Sequence, residues 1–229
     1  MALRSPTTHV GRTMLEGLHA QLRNCRRCGL CQFRKRVVFG AGNPRAPVMV
    51  IGNRPGYWDD DSGEPLAGET TRGIFAQALD RVGLLMQRDI YATYAVKCLT
   101  PKEDDQFRSE PTAEAFAACN PFLQRQIDLI NPAIIVLHGK GASSMLLGDS
   151  RSLRHYLGHW RTFGHQRIVL STHNPAGLFG ERSALVPEYF QHWEELACRL
   201  HGLGRLWRPD AQLFRDGWVY PDQLLENFA

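Results

Sequence analysis

The chain has 229 residues, of which 43% are apolar, and this content is enough to bury one sizeable core. Its formal net charge of +4 is compatible with a polyanionic partner but does not identify one. No run of about 18 apolar residues occurs, which excludes a membrane-spanning helix, and the first residues lack the apolar stretch of a secretory signal. We therefore expect a cytoplasmic protein that does not contact a membrane.

Strands and helices alternate along the chain. Apolar spacing predicts a helix over 12–24, and the apolar run 47–52 predicts a buried strand that ends on a glycine turn. Residues 53–70 are polar and glycine-rich, which predicts a loop, and Thr70 and Thr71 are candidate N-caps for a helix over 74–84. The pattern then predicts a strand over 90–96, a helix over 112–130, a strand over 133–137, a helix over 140–147, a strand over 167–171 and a helix from Pro187 onward.

This alternation is typical of a parallel sheet that is covered by helices on both faces. We expect residues 1–204 to form one domain. Residues 205–229 contain aromatic side chains without a clear period, and we expect an extension packed on that domain. Ligands of such sheets bind beyond the carboxyl ends of the strands. The loops that begin at Gly52, Lys97, His138 and His173 are therefore the candidate ligand loops.

Four cysteines in three separate segments form a candidate metal site. Cys25 and Cys28 lie near the start, and Cys98 and Cys119 follow far downstream. In a reducing compartment such residues indicate metal ligands or buried thiols rather than disulfides. Four thiolates hold either an iron–sulfur cluster or zinc, and the residue types alone do not decide between them. Cys31 could extend the first pair into a longer ligand run or lie beside the site as a free thiol.

The sixth cysteine lies far from the other five, and the chain also contains two basic clusters. Cys198 on the last predicted helix is expected to pack in the core. Arg34 and Arg36 belong to a cluster beside the first cysteine pair, and Arg154 and Arg161 belong to a second cluster. These arginines either form solvated surfaces or contact phosphates of DNA, where bound counterions would be released.

The motifs taken together resemble family 4 of the uracil-DNA glycosylase superfamily. The resemblance rests on the segments 25–30, 36–44, 50–56, 60–68, 96–98, 119–127 and 174–176, which follow in the same order as in that family. It implies a three-layer α/β/α sandwich with a four-stranded parallel sheet. It also implies a [4Fe–4S] cluster on Cys25, Cys28, Cys98 and Cys119, DNA as partner, and a pocket that receives a base flipped out of the duplex. We expect a monomer in a bacterial or phage-infected cell.

The first pocket loop departs from the family pattern. The family has a glutamate that assists water attack where this chain has Asn53, which cannot accept a proton at neutral pH. Arg54 replaces a small residue, and it either lies in solvent, contacts a phosphate or faces an anionic group of the substrate. The resemblance implies substrate contacts by the rest of this loop, namely Gly52, Pro55 and Gly56.

The residues that would hold the base also differ. Leu66 stands where the family has a stacking aromatic residue, so part of a stacking energy of about 1–3 kcal/mol would be lost. Tyr57 and Trp58 could compensate from the same loop, or they could simply anchor it. Tyr94 stands where the family reads the base edge with an asparagine. A tyrosine cannot provide the paired donor and acceptor of an amide, and it would shrink the pocket.

The last motif is shifted. Asn174 stands where the family has its histidine, and His173 precedes it by one residue. His173 could contact a substrate oxygen or serve a structural role. Leu178 and Phe179 stand where the superfamily inserts an apolar wedge into the duplex, which would offset the few kcal/mol that base flipping costs.

These substitutions favour a DNA-base-processing enzyme whose catalytic residues are Asn53, Tyr94, His173 and Asn174. We expect its substrate to be a flipped pyrimidine, modified at the 5-position, rather than plain uracil. Transfer chemistry at the base, with an amine or amino acid as co-substrate, is favoured slightly over hydrolysis of the N-glycosidic bond, as in phage pathways that hypermodify thymine. A conventional glycosylase, with Asp59, Asp60 or Asp61 orienting water, is one alternative. A DNA-binding module without catalysis is the other.

Overall fold

The computed structural model describes residues 7–102, 109–148, 151–164 and 167–206. The predicted extension over 205–229 lies, apart from its first two residues, outside this part of the chain. No helix within the described ranges is long and apolar enough to cross a bilayer.

The described residues form six strands and seven α-helices, joined by short 3₁₀ turns. The strands are β1 (Ala41–Gly42), β2 (Val48–Gly52), β3 (Ile90–Tyr94), β4 (Ile134–His138), β5 (Trp160–Phe163) and β6 (Arg167–Thr172). The helices are α1 (Thr7–Leu22), α2 (Tyr57–Ser62), α3 (Glu69–Arg81), α4 (Met86–Asp89), α5 (Ala113–Ile130), α6 (Gly139–Leu147) and α7 (Val186–Leu206).

The strands form one sheet in the order β1-β3-β2-β4-β6-β5. Its four central strands are parallel, and β1 and β5 add to the two edges in antiparallel orientation. The predicted α/β class and the four parallel strands are therefore confirmed, whereas the two edge strands were not predicted. In the register, Val50 of β2 lies between Ala92 of β3 and Val136 of β4.

Alternate residues of the central strands point into two separate cores. Met49 and Ile51 pack with α1, α5 and α6 on one face of the sheet. Val48 and Val50 pack with α3 and α7 on the other face. Because every residue of β2, β3 and β4 is buried, these strands appear in the sequence as continuous apolar runs rather than alternating ones.

Several helix boundaries differ from the predictions. Helix α3 begins at Glu69 after Gly68, so the prediction that Thr70 or Thr71 is its N-cap is wrong. Helix α2 occupies part of the predicted loop, because the Asp59 carboxylate accepts a hydrogen bond from the backbone N–H of Gly56 and so fixes the first turn. The predicted start of α5 is confirmed, since the Thr112 side chain accepts a hydrogen bond from the N–H of Ala115.

Parallel pairing brings the carboxyl ends of the four central strands to one edge of the sheet. Residues Asn53, Ala95, Gly139 and His173 follow directly after β2, β3, β4 and β6. The loops that the sequence marked as ligand loops thus lie side by side.

Candidate functional site

Two clefts open at this edge of the sheet and share a wall. The first cleft has a volume of about 790 Å³ and lies over the ends of β2 and β3. The second has a volume of about 960 Å³ and lies over the ends of β4 and β6. The residues common to both clefts are Asn53, Glu110, Asn174, Gly177 and Arg182.

Most predicted substrate residues border the first cleft, namely Asn53, Arg54, Gly56, Tyr57, Leu66 and Tyr94. Gly52 and Pro55 are buried, and they border neither the first cleft nor the second. His173 borders only the second cleft, and Asn174 borders both. The structure therefore brings together the predicted loops but divides their residues between two adjoining spaces.

Tyr94 closes the floor of the first cleft. Its side chain is only 5% exposed, and its ring lies so close to Gly52 that a Cβ there would approach the ring to 2.6 Å. The hydroxyl donates to Asp59 Oδ2 at 2.7 Å and accepts from the backbone N–H of Leu66 at 3.1 Å. Burial raises the pKa of Tyr94 well above its ordinary value, and the neighbouring Asp59 carboxylate raises it further. Tyr94 therefore stays neutral and is held in place.

Asp59 is the centre of this floor. Besides the Tyr94 hydroxyl, it accepts hydrogen bonds from the backbone N–H groups of Gly56 at 2.7 Å and Ala67 at 2.6 Å. The second bond helps to hold Leu66, which is buried at the left-handed φ of 60°. Asp59 thus joins the start of α2 to the segment before α3, and its acceptor capacity is used for structure.

The other two predicted carboxylates are also engaged. Asp60 is buried and accepts from the backbone N–H groups of Lys35 and Arg36. Asp61 is exposed and pairs with the Lys35 ammonium, whose hydrogen bond holds the pKa of Asp61 below its usual range. Neither side chain borders a cleft. The prediction that one of these three carboxylates orients water therefore has no support in the geometry.

Exposed aromatic side chains surround the mouth of the first cleft. Tyr57 is 50% exposed, Trp58 is 62% exposed, and their rings meet edge to face at 5.2 Å. Phe179 is 64% exposed and lies in the same wall. Leu178, in contrast, is 4% exposed within the core beside α7, so only Phe179 of the predicted wedge is available to a duplex.

The Asn53 side chain bonds Glu110 within the wall that the two clefts share. Its Nδ2 donates to Glu110 Oε2 at 2.6 Å, while its Oδ1 is buried without a partner among the described residues. The side chain packs directly onto Gly141 of α6, where a Cβ would lie 2.3 Å from Oδ1. A glycine at 141 is therefore required for this orientation of Asn53.

The second cleft contains two histidines in different environments. His173 Nε2 lies 2.8 Å from Glu188 Oε2, and its ring stacks at 6.1 Å on that of His192. His138 is 1% exposed at the end of β4, and burial lowers its pKa to about 3, so it is neutral. Three cationic residues, Lys140, Arg154 and Arg182, border the same cleft.

The Asn174 side chain stabilises the turn that follows it. Its Oδ1 accepts from the backbone N–H of Ala176 at 3.1 Å and so caps the 3₁₀ turn Pro175–Gly177. The amide nitrogen remains able to donate to a ligand, and the oxygen keeps a second lone pair. Asn174 can therefore still contact a substrate from the wall that the two clefts share.

The four arginines that were predicted to contact DNA phosphates lie in three environments. Arg36 is exposed beside α2, and Arg154 is exposed at the second cleft. Arg161 is half-buried, with its guanidinium over the Tyr156 ring at 5.3 Å. Arg34 is directed inward, because it donates to Cys98 Sγ at 3.4 Å and to the backbone carbonyl of Cys25 at 2.5 Å.

The four predicted metal ligands line one narrow cavity between α1, the loop after β3, and α5. Cys25 and Cys28 are half-buried there, and Cys98 and Cys119 are buried. Cys31 borders a different surface pocket, with Asn24 and Arg26. Cys198 lies on α7 and packs against the core, as predicted for a structural thiol.

Two basic side chains, Arg34 and Lys97, line this cavity. Burial raises the pKa of the Cys98 thiol to about 12, while the Arg34 guanidinium acts in the opposite direction. Lys97 is fully buried next to it, and burial lowers the pKa of its amine to about 7. The Lys97 ammonium nitrogen bonds Thr93 Oγ1 at 2.6 Å and the Tyr94 carbonyl at 2.5 Å. The cavity wall is thus linked to the floor of the first cleft.

The donor set, four thiols around one cavity, fits a metal centre. Nowhere in the described ranges do three His, Cys, Asp or Glu side chains meet closely enough to hold one ion. Four sulfurs around one cavity, with an arginine donating to one of them, are the kind of ligand set that an iron–sulfur cluster uses. A cluster is larger than a single ion, so it holds its thiolates further apart.

Glu110, Gly141 and Arg182 belong to the site but were not predicted from the sequence. Glu110 immediately precedes Pro111 and the N-cap of α5. A carboxylate just before a helix was the only feature of the sequence that could have drawn attention to it. Nothing in the sequence indicates that Gly141 supports Asn53, because the two residues belong to different strand–helix units.

Comparison with known proteins gives a consistent result. The sequence model described as "Uracil DNA glycosylase superfamily" matches residues 39–197. A type-4 uracil-DNA glycosylase of Saccharolobus solfataricus is 31% identical over 163 residues, which cover 68% of this chain and 73% of that protein. A type-4 uracil-DNA glycosylase of Sulfurisphaera tokodaii is 30% identical over 192 residues, covering 80% and 84%. One from Thermotoga maritima is 31% identical over 171 residues, covering 74% and 85%.

Proposed function

Because the chain belongs to the uracil DNA glycosylase superfamily and to its type-4 branch, we propose that it binds DNA and processes a pyrimidine base turned out of the duplex. The base it acts on is not plain uracil but a pyrimidine modified at the 5-position. The observation that carries this proposal is Tyr94, which fills the floor of the first cleft with a hydroxyl committed to Asp59.

The floor explains why uracil is a poor candidate. Recognition of the uracil edge by an amide uses a donor and an acceptor side by side. A 5-substituted uracil presents the same edge, so we propose that this protein selects its base through the 5-substituent rather than through the edge. The Tyr94 hydroxyl already donates to Asp59 and accepts from Leu66, so it offers no such pair. The base must therefore sit higher in the cleft, nearer to Arg54 and the exposed rings of Tyr57 and Trp58. A guanidinium there suits a 5-substituent that is negatively charged.

Two reactions are open to a base held in this way. Transfer at the base needs space for a second substrate, such as an amine or amino acid, and the second cleft of about 960 Å³ adjoins the first at Asn53. Hydrolysis of the N-glycosidic bond needs a carboxylate or an equivalent base at the bond. Glu110 in the shared wall is the observation that favours hydrolysis.

The cysteine cavity fits a [4Fe–4S] cluster held by Cys25, Cys28, Cys98 and Cys119. When bound, such a cluster would act as a cross-link among three segments rather than as a reactant. Lys97 and Tyr94 precede Cys98 on the same short segment, so this cross-link would also steady the floor of the first cleft.

DNA would approach over the mouth of the two clefts. Phe179 would enter the space left by the everted base. Arg36 beside α2, Arg154 at the second cleft and Arg161 on β5 would contact phosphates. We propose that the protein works as a cytoplasmic monomer near the nucleoid of a bacterial or phage-infected cell.

The proposal is tested by mass spectrometry of nucleosides after incubation with matched oligonucleotides. The duplexes carry uracil, thymine, 5-hydroxymethyluracil or phosphorylated 5-hydroxymethyluracil at one position, with and without a mixture of amino acids. We expect conversion of a 5-modified base and little conversion of uracil. Release of a free base indicates hydrolysis, and a heavier nucleoside indicates transfer.

Two outcomes would contradict the proposal. Efficient release of uracil would show that the protein is a conventional glycosylase. Salt-sensitive DNA binding without any product would show that it is a binding module without catalysis. Tyr94→Ala opens the floor and should alter the choice of base. Because the substitution also removes the bonds to Asp59 and Leu66, its melting temperature is measured together with its DNA affinity.

A further inference from the structure

We propose that Glu110 is a catalytic carboxylate, which takes a proton from the water that attacks the sugar of the everted nucleotide. This inference rests on the proposed function, because it assigns a residue to that reaction. It starts from the position of Glu110 in the wall that separates the two clefts.

The chain on both sides of Glu110 is fixed. The backbone N–H of Ser109 donates to the Pro101 carbonyl at 3.0 Å, and the Ser109 hydroxyl donates to the same oxygen at 3.2 Å. Pro111 is buried, and Thr112 caps α5. The carboxylate is therefore carried by an anchored segment although its side chain is exposed.

Asn53 orients the carboxylate. Its own backbone carbonyl accepts from the N–H of Val96 at 3.0 Å, and its side chain is confined by Gly141. The amide then donates to Glu110 Oε2 at 2.6 Å. A carboxylate has acceptor capacity beyond one such bond, so Glu110 can also receive a proton from a water molecule. Asn53 is thus a positioning residue.

The remaining carboxylates of the clefts are less suited to this role. Asp59 already accepts from two backbone N–H groups and the Tyr94 hydroxyl. Glu188 is paired with His173 in the second cleft. Glu181 borders only the first cleft. Of the carboxylates in the described ranges, Glu110 alone borders both clefts.

The step balances as an ordinary hydrolysis. The water oxygen forms a bond to C1′ of the sugar while the bond from C1′ to the base nitrogen breaks, and its electron pair leaves with the base. One proton of the water passes to Glu110. The departing base takes up a proton from solvent, and Glu110 returns its proton to solvent, which restores the carboxylate. Arg182, a cation that also borders both clefts, is available to balance the negative charge during the step.

The test compares Glu110→Gln with Glu114→Gln. Glu114 is an exposed glutamate in the first turn of α5, four residues away, and it borders neither cleft. Single-turnover release of the free base should fall by about 10²–10⁴ in Glu110→Gln, the usual contribution of a positioned acid–base group. Glu114→Gln should react as the wild type does. Melting temperature and DNA affinity should be unchanged in both variants.

A second variant separates chemistry from structure. Glu110→Ala should lose the same activity and recover part of it when formate is added, because formate can occupy the space of the missing carboxylate. If Glu110→Gln releases the base as fast as the wild type, this inference is wrong. It is also wrong if formate restores no activity to Glu110→Ala, and neither result would contradict the proposed function. A wild-type protein that converts no base of the panel would overturn the proposed function as well.

Discussion

The bond between the Tyr94 hydroxyl and Asp59 leads to a quantitative prediction for Tyr94→Phe. The substitution keeps the ring on Gly52 and removes one oxygen. It removes a hydrogen bond to a charged acceptor at 2.7 Å, which contributes about 1.5–3 kcal/mol. It also leaves the backbone N–H of Leu66 without its partner at 3.1 Å, which costs about 1–3 kcal/mol more. We therefore expect the free energy of unfolding to fall by roughly 2.5–6 kcal/mol.

Tyr91→Phe is the matched control. Tyr91 lies on the same strand and is 3% exposed, but the one hydrogen bond of its hydroxyl that the structure shows joins it to Gln126 Nε2 at 3.4 Å. Its removal should cost only about 0.5–1.5 kcal/mol. The free energies are measured by urea denaturation followed by circular dichroism, under anaerobic conditions so that the cysteines stay reduced. Equal losses in the two variants would refute the conclusion that Asp59 holds the floor through Tyr94.

Three further predictions concern the metal, the pH dependence of stability and DNA binding. Anaerobically purified protein should absorb near about 400 nm, and Cys98→Ser should lose this band whereas Cys31→Ser keeps it; a colourless wild type with stoichiometric zinc would refute iron. His138 has a folded pKa of about 3, below that of the unfolded chain, so stability should fall by several kcal/mol between pH 6.5 and pH 3. His138→Gln should flatten this part of the stability curve, and an equally steep curve would contradict a buried neutral imidazole. Arg154→Ala should reduce the salt slope of DNA binding by about 1, whereas Arg45→Ala, exposed near the amino end of β2, should not; identical slopes would argue against phosphate contact by Arg154.

The sign of the pH effect follows from proton binding. Between pH 6.5 and pH 3 the imidazole of His138 is protonated in the unfolded chain but not in the folded one. The unfolded state therefore binds more protons in this window, and stability rises with pH through it. Above pH 6.5 neither state binds the proton, and the contribution of His138 to the pH dependence disappears.

The central sheet could be predicted because its strands are buried on both faces. A run such as 134–138 is entirely apolar until its last residue and is bounded by Asn131-Pro132 on one side and Gly139 on the other. The edge strands lack such a signal. Ala41–Gly42 contains only two residues, and Trp160–Phe163 is half-exposed, so neither produces an apolar run.

Helix α2 was missed for a different reason. Its sequence Tyr57–Ser62 contains three aspartates, and burial of two of them depends on backbone N–H groups supplied by other segments. No periodicity of α2 itself can indicate those partners. Polar residues that are buried by distant donors are therefore invisible to a local pattern.

The candidate site, like the fold, could be predicted only in part. The loops were predictable, because parallel strands must end at one edge and the chain marks those ends with Gly52, Lys97, His138 and His173. The contact between Asn53 and Glu110 was not predictable, because it depends on how the segment before α5 folds back over β2. Nor could the sequence indicate that Leu178 would turn into the core while Phe179 turned outward.

The fit between Gly52 and Tyr94 has a practical consequence for anyone who wishes to retarget this scaffold. Since a methyl group at 52 would already collide with the phenol at 94, the two positions cannot be randomised one at a time without discarding most useful combinations. A library that varies both positions together would combine smaller amide side chains at 94 with alanine or serine at 52. Such a library would sample shapes of the cleft floor that no single replacement reaches. Selection for growth on a toxic nucleoside analogue would then identify which floors accept which base.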